Sequence, residues 1–323
     1  MTSVTQKSTI GSLTKKHLPK ILLYLFVLVL LVCLSFVVLY PVISAFSVAI
    51  RPAEEMFDKT VIWIPRNPTF INFKNALVEI DFFSVLIRTV LVTGICSLFQ
   101  VVTCSMAAYG LSRFNFKGKN LLFMLVVLTI IVTPQITQIP NFINMRYFDF
   151  FGIGKLIGLI TGKSVTVSLI DTNYVLILPA LFGAGLQSGL YVFVFRQFFM
   201  GIPTGLEEAA KIDGCNAAQT FIRIIIPNNI PVFVVVFLLN VVTYWNDTAV
   251  TGLYLTSNKS FLLMNSVSNF VSTTIRSSST YNFGENDVLF SAMAILVIIP
   301  PIILYMCCQT KFNEFLDRSG IKG

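Results

Sequence analysis

The chain of 323 residues is 55% hydrophobic, only 12% charged and carries a net charge of +8, with a mean hydropathy of +0.80. Soluble domains carry about 25% charged residues, so this composition excludes a water-soluble globule. Its Lys and Arg residues are spread along the loops, whereas a nucleic-acid site needs a basic patch or stripe. We therefore expect an all-α, polytopic membrane protein that contacts membrane lipid and no nucleic acid.

Six apolar stretches are each long enough to cross a bilayer, which takes about 20 residues. They cover residues 21–50, 85–111, 121–145, 174–199, 230–255 and 288–308. Pro134 and Pro140 interrupt the third stretch. The first stretch could be a cleaved signal peptide, but its apolar run from Ile21 to Leu39 exceeds the 7–15 residues typical of such a segment. We therefore predict six transmembrane helices.

The distribution of basic residues predicts the orientation of these helices. With the N-terminus inside, the inner segments carry thirteen Lys and Arg residues and the outer segments nine. The outer loops are also much longer than the inner loop between the second and third stretches, so the inner density is higher still. Cytoplasmic loops collect Lys and Arg, which predicts that both termini are cytoplasmic. Segments 52–81, 152–171 and 257–287 would then be outer loops, either docking surfaces or solvated connections.

No catalytic or metal-binding pattern is visible in the chain. The six cysteines show no CxxC or Cys/His spacing, and His17 is the only histidine, so we expect neither a disulfide framework nor a metal site. The sequence also lacks a GxxxxGK[ST] phosphate loop. We expect a non-enzymatic chain that binds no cofactor itself.

The inner loop at residues 203–227 has the pattern of two short helices. Thr204 can cap the first helix, whose first turn carries Glu207 and Glu208. Gly214 supplies a stop, and a second helix from about Asn216 ends before Pro227. Such a loop could be an amphipathic connection at the membrane surface, which periodicity alone favours, or a rigid peg for a groove on a partner.

Within this loop, Glu208-Ala209-Ala210, Gly214 and Ile226-Pro227 resemble the EAA signature of ABC importer permeases. Two positions depart mildly: Cys215 follows the glycine where alanine is common, and Ile226 stands where leucine is usual. In that family the loop is a coupling helix that docks on a cytoplasmic ATPase. The resemblance therefore implies an ATPase-docking set of Glu207, Glu208, Ala209, Ala210, Asp213, Gly214, Ile226 and Pro227.

The resemblance extends over most of residues 20–323, to the second permease of the pair in maltose-type carbohydrate importers. It is carried by Arg88-Thr89, Ala107 to Phe114, Phe116 to Lys119, Thr133-Pro134-Gln135, Ile139-Pro140, Arg196 to Phe199, Ile202-Pro203, Trp245-Asn246-Asp247 and Lys322-Gly323. The outer connection Gly154 to Asn173 is longer than the family's usual one.

This resemblance implies the type I ABC importer permease fold in a bacterial cell membrane. The expected parts are a cytoplasmic segment at 1–20, a permease domain at 21–310 that contains the coupling loop 203–227, and a cytoplasmic tail at 311–323. The implied partners are a second homologous permease, cytoplasmic ATPase subunits that hold ATP and Mg, and an extracytoplasmic solute-binding protein. The implied cargo is a sugar, an oligosaccharide or a sugar derivative.

Polar residues inside apolar stretches are costly unless they are paired or wet, so they are candidates for a sugar pathway. The third stretch offers Gln135 and Gln138, and the fifth offers Asn240, Tyr244, Trp245, Asn246 and Asp247. The alternatives are hydrogen bonds between helices and an interfacial aromatic belt that ends in a turn.

A secondary transporter driven by an ion gradient is the main alternative function. That class usually shows acidic or histidine relays within the membrane and internal repeats. The predicted helices contain no acid except Asp247 at an edge, and no repeat is evident. The sequence therefore favours the ATP-driven importer.

Overall fold

The computed structural model describes residues 7–58, 60, 63–132, 134–149, 152, 166–276, 282 and 284–319. Within those ranges the regular structure is helical apart from one isolated β-bridge between Phe148 and Val167. The helices are α1 (Lys7–Ala49), α2 (Ile71–Glu79), α3 (Phe82–Arg113), α4 (Lys119–Ile131), α5 (Pro134–Arg146), α6 (Tyr174–Leu181), α7 (Ser188–Met200), α8 (Thr204–Ile212), α9 (Ala217–Thr220), α10 (Ile226–Asn228), α11 (Ile230–Asn246), α12 (Ala249–Tyr254), α13 (Leu263–Arg276) and α14 (Glu285–Ser319), with a 3₁₀ turn at Ala53–Phe57 and a π-helix at Phe221–Ile225.

Over the described ranges, three unbroken helices are long and apolar enough to cross a membrane. They lie within α1, α3 and α14, at Leu23–Ala49, Phe82–Arg113 and Glu285–Asp317, and they confirm the first, second and sixth predicted helices. The third prediction corresponds to α4 and α5, which meet at a bend of 102°. Pro140 lies inside α5 without ending it, so the break falls near Pro134, as expected for a residue that disfavours helix before it.

The fourth predicted stretch is not one continuous helix. It divides into α6 and α7, and residues 182–187 between them are not helical. Gly183 and Gln187 both have left-handed backbones, with φ of 69° and 55°, and this conformation cannot continue a right-handed helix. The prediction of an unbroken helix over 174–199 is therefore wrong.

The fifth predicted helix is shorter than the apolar stretch that predicted it. Helix α11 ends at Asn246 rather than near residue 255. The Asp247 carboxylate accepts hydrogen bonds from the backbone N–H groups of Val250 and Thr251, at 3.4 and 2.7 Å. It thereby caps the start of α12, so Asp247 is a helix-capping residue in this structure.

The chain forms two compact units, one of Met1–Ala76 with Asn282–Ile295 and one of Leu77–Tyr281 with Leu296–Gly323. In the first unit, the Asn72 side-chain amide donates to the carbonyls of Ala49 and Arg51, at 2.8 and 2.7 Å, and so fastens the end of α1 to α2. In the second unit, α3, α7 and α11 share one apolar core.

A loop at Thr256–Leu263 in the second unit is held by side chains from two other segments. Asp171 accepts hydrogen bonds from the Ser260 hydroxyl at 2.5 Å and from the N–H groups of Ser257 and Thr256 at 2.9 and 3.0 Å. These bonds, the one from Ser260 first, hold the pKa of the Asp171 carboxyl well below its ordinary value. Arg88 donates to two carbonyls of the same loop, so it anchors the loop.

We predict that Asp171→Asn loosens this loop, because a neutral amide accepts these hydrogen bonds less strongly than a carboxylate. Hydrogen–deuterium exchange of the Thr256 and Ser257 amides should become about tenfold faster. The exposed neighbour Lys259 provides a control, and Lys259→Gln should leave exchange unchanged.

The pH dependence follows from the lowered pKa of Asp171. Since its folded pKa lies below the unfolded value of about 3.9, the carboxylate contributes fully above about pH 5. The contribution is lost as the pH falls toward the folded pKa. Equal protection of the loop in Asp171→Asn and the parent at pH 7 would contradict this account.

Candidate functional site

The inner loop folds into two short helices around a glycine turn, as the sequence predicts. Gly214 has a φ of 82°, its N–H donates to the Lys211 carbonyl at 3.1 Å, and the Cys215 N–H donates to the Ala210 carbonyl at 2.9 Å. This pair of bonds is the Schellman arrangement that ends α8. Asn216 and Gln219 then form a reciprocal capping box that starts α9.

Two local details of this loop differ from the sequence prediction. Pro203, not Thr204, occupies the position before α8, and no side chain caps that end. The second helical segment also continues past Pro227 to Asn228, through a π-helical turn at Phe221–Ile225. The wider i→i−5 ladder places the Ile226 N–H on the Phe221 carbonyl, and Pro227 then sits at the start of a new turn, where its missing N–H costs little.

One face of α8 is exposed in the part of the chain that the structure describes. Leu206, Glu208, Ala209, Ile212 and Asp213 are all exposed, and Ile212 is 87% exposed. In the described part of the chain, the Glu208 carboxylate has no hydrogen-bond or ion-pair partner. An apolar side chain this exposed beside an unpaired acid gives α8 a surface suited to a protein partner.

The opposite face of α8 is buried and holds two residues of the predicted docking set. Glu207 and Ala210 are only 7% and 3% exposed, so they lie on the side of α8 away from its exposed face. The Glu207 carboxylate forms an ion pair with Arg113 at the end of α3, with 2.6 Å between Oε1 and Nε. Glu207 therefore fastens α8 to the helix core.

Arg113 also binds the end of α7, and an arginine of α7 binds the end of α3. One Arg113 nitrogen donates to the carbonyls of Phe199 and Ile202, at 2.7 and 2.8 Å. In the other direction, Arg196 of α7 donates to the Leu111 carbonyl of α3 at 3.4 Å. Cations at helix C-termini satisfy terminal carbonyls and the helix dipole. Each helix end is thus capped by an arginine from the other helix.

Tyr244, predicted to line a sugar pathway, forms hydrogen bonds at the break between α6 and α7. It is 1% exposed, donates to the Gln100 Oε1 at 3.0 Å and accepts from the Leu186 N–H at 3.3 Å. Gln100 in turn donates to the Leu186 carbonyl at 2.6 Å. These two side chains satisfy backbone groups that the break leaves without helical partners.

Trp245 and Asn240, two further pathway candidates, are also inside the protein. Trp245 is 4% exposed, and its indole N–H donates to the Val297 carbonyl at 3.2 Å. That carbonyl lacks its usual helical donor because residue 301, four positions later, is a proline. Asn240 is fully buried, and its amide has no hydrogen-bond partner among the described residues. Both side chains are buried in this structure, and their contact with a sugar stays a prediction.

Three of the predicted pathway residues remain accessible. Asn246 is exposed, while Gln138 and Asp247 are half-buried. Asn246 borders an open cavity of about 310 Å³ between α11 and α14 that Pro301 and Tyr305 also line. The side chain of Gln135 lies outside the described residues.

The family of binding-protein-dependent transport system inner membrane components matches residues 100–316 of this chain. A trehalose transport system permease protein, SugB, of Mycobacterium tuberculosis is 30% identical over 88% of this chain and 93% of its own length. An arabinooligosaccharides transport system permease protein, AraQ, of Halalkalibacterium halodurans is 25% identical over 90% of this chain and 93% of its own length.

A solved structure shares the fold. A chain of a bacterial ABC transporter involved in the import of the acidic polysaccharide alginate superposes with a TM-score of 0.67, at 20% identity. The match covers 97% of the present chain and all of that one. The present chain therefore has the fold of an ABC importer permease, as the sequence predicts.

We predict that Gly185→Ala destabilises the break between α6 and α7. A Cβ atom there would lie too close to the Tyr244 hydroxyl and 2.5 Å from the Gln100 Oε1, so both side chains must move. Overpacking of this kind costs about 1–3 kcal/mol, which should lower the melting temperature in detergent. Gly94→Ala is the control, because no atom lies within 4 Å of its Cβ position. An unchanged melting temperature in Gly185→Ala would contradict the assigned network.

Proposed function

The chain belongs to the family of binding-protein-dependent transport system inner membrane components, and from this membership we propose that it is the permease subunit of an ATP-driven sugar importer. It is a multi-pass protein of the cell membrane and a non-catalytic subunit. The buried ion pair of Glu207 argues against the ion-coupled alternative. Glu207 is the only buried acid among the described residues, and it is paired with Arg113, so these residues offer no unpaired buried carboxylate for a proton relay.

The exposed face of α8 is the observation that carries this proposal. Ile212 and Glu208 project from a helix that Glu207 anchors on its other side. A cytoplasmic ATPase subunit would bury Ile212 and place a cation against Glu208. Gly214, Ile226 and Pro227 shape the loop around this face, and ATP and Mg would bind to the ATPase alone.

The sugar assignment rests on the relatives, whose names specify trehalose and arabinooligosaccharides. For this chain we propose a sugar or oligosaccharide, delivered by an extracytoplasmic binding protein and carried between this permease and a homologous second one. Asn246 and Gln138 are two of the three predicted pathway residues that stay accessible, and the third, Asp247, caps α12. They are our candidates for contacts with sugar hydroxyls, and Tyr305 beside Asn246 offers an aromatic face.

The proposed orientation, with both termini in the cytoplasm, can be tested with reporter fusions. Fusions after Arg113, Gly214 and Gly323 should report a cytoplasmic position, and fusions after Asn67 and Asn258 an external one. The physical reason is the excess of Lys and Arg in the inner loops. An external signal at Gly214 would exclude docking of a cytoplasmic ATPase on α8.

Docking itself is tested with Ile212→Ser and Glu208→Lys in the complete transporter. Loss of a buried isoleucine contact costs about 1.5–3 kcal/mol, so affinity for the ATPase should fall at least about tenfold. Glu208→Lys should weaken copurification by a similar factor through charge reversal.

The matched control for Ile212→Ser is Ile64→Ser. Ile64 is 82% exposed and lies in the segment that the proposed orientation places outside. Its replacement should leave the ATPase bound. Unchanged copurification in both Ile212→Ser and Glu208→Lys would refute docking on this face.

A further inference from the structure

Among the described residues, the buried face of α8 makes one charged contact with the rest of the protein. Glu207 and Arg113 have side chains only 9% and 10% exposed, and their ion pair is 2.6 Å long. The same guanidinium donates to the carbonyls of Phe199 and Ile202. Arg113 therefore joins three parts of the chain: α3, which carries it, the end of α7, and α8 through Glu207.

An ion pair is an unusual choice if stability alone is needed at this position. Taking two charges out of water is costly, and well-packed apolar residues of similar volume often stabilise as well or better. The contact is electrostatic: Arg113 Nε and Glu207 Oε1 lie 2.6 Å apart without the alignment of a hydrogen bond. Moving α8 relative to α3 would separate two buried charges, so the pair resists that movement more strongly than apolar contacts would.

The two acids in the first turns of α8 thus face different surroundings. Glu208 is exposed and unpaired within the described chain, while its neighbour Glu207 is buried against Arg113. A partner that binds the exposed face and moves therefore acts on a helix whose other face is bound to α3 and, through Arg113, to α7.

We propose that the Arg113–Glu207 ion pair is the linkage through which movement of α8 reaches α3 and α7, so that both residues act as positioning residues for transport. This inference rests on the proposed docking of an ATPase on α8. It adds that α8 and the inner end of α3 move as one body when ATP binds to the ATPase.

The experiment measures the distance between α8 and the inner end of α3 in the complete transporter. Spin labels are placed at Lys211 of α8 and at Met106 in the inner half of α3, both exposed, in a variant whose cysteines are replaced. Distances are recorded without nucleotide and with ATP plus EDTA, which allows ATP to bind while removing Mg. In the otherwise unchanged protein, the distance should be the same in both states.

In Glu207→Gln the charge is lost while the shape of the side chain is kept. The ATP-dependent distance should then shift by more than about 2 Å, the scale of helix shifts at interfaces, because α8 follows the ATPase without α3. Glu207→Asp keeps the charge and should restore the constant distance. A residue with only a structural role would change the amount of assembled transporter without producing this shift.

The matched control is Glu314→Gln. It removes the exposed ion pair between Lys311 and Glu314 within α14, at 2.8 Å, and exposed pairs contribute little. It should leave the distance constant.

Two results would overturn the linkage. One is an ATP-dependent change of the distance in the protein with Glu207 and Arg113 intact, which stays measurable even if Glu207→Gln fails to assemble. The other is a constant distance in an assembled Glu207→Gln transporter. Failure of the docking proposal is distinguishable, because it appears as retained ATPase in Ile212→Ser and Glu208→Lys.

Discussion

Within a bilayer no water satisfies the backbone, so each N–H and C=O group must find its partner inside the protein. This constraint explains where the polar side chains of the second unit point. At the break between α6 and α7, Gln100 and Tyr244 bind both backbone groups of Leu186. In α14, where Pro301 leaves the Val297 carbonyl without a helical donor, Trp245 donates to it. Tyr244 and Trp245, which the sequence offers as candidates for a sugar pathway, therefore bind backbone groups inside the protein.

The carbonyl groups at the ends of helices have the same requirement, and here charged side chains bind them. The last carbonyls of α3 and α7 are each bound by an arginine of the other helix, Arg196 and Arg113. Arg113 would be a buried uncompensated charge without Glu207, and a buried charge is tolerated only when it is paired. The helix ends and α8 are consequently fixed by one set of interactions rather than by separate ones.

Features set by neighbouring residues could be predicted from the sequence, and features set by distant residues could not. The long apolar runs fix α1, α3 and α14, and the glycine turn at Gly214 depends only on residues next to it. The backbone groups of Leu186 in the break after Leu181 are bound by Gln100 and Tyr244, which are remote in the chain. Likewise, both acids of α8 satisfy the helix dipole equally, and only the position of Arg113 decides that Glu207 is buried.

The EAA-like signature is a feature of neighbouring residues, so it carries no information about contacts with distant ones. A pattern of short-range spacing identifies α8 as a whole, but it does not say which of its residues face outward. The structure divides the set into Glu208, Ala209 and Asp213 on the exposed side and Glu207 and Ala210 on the buried side. A helix that only docked would need the first group alone, and one that only packed would need the second. Because α8 has both, with a charge on each side, it is fixed to the helix core on one side and fits the proposed docking of an ATPase on the other.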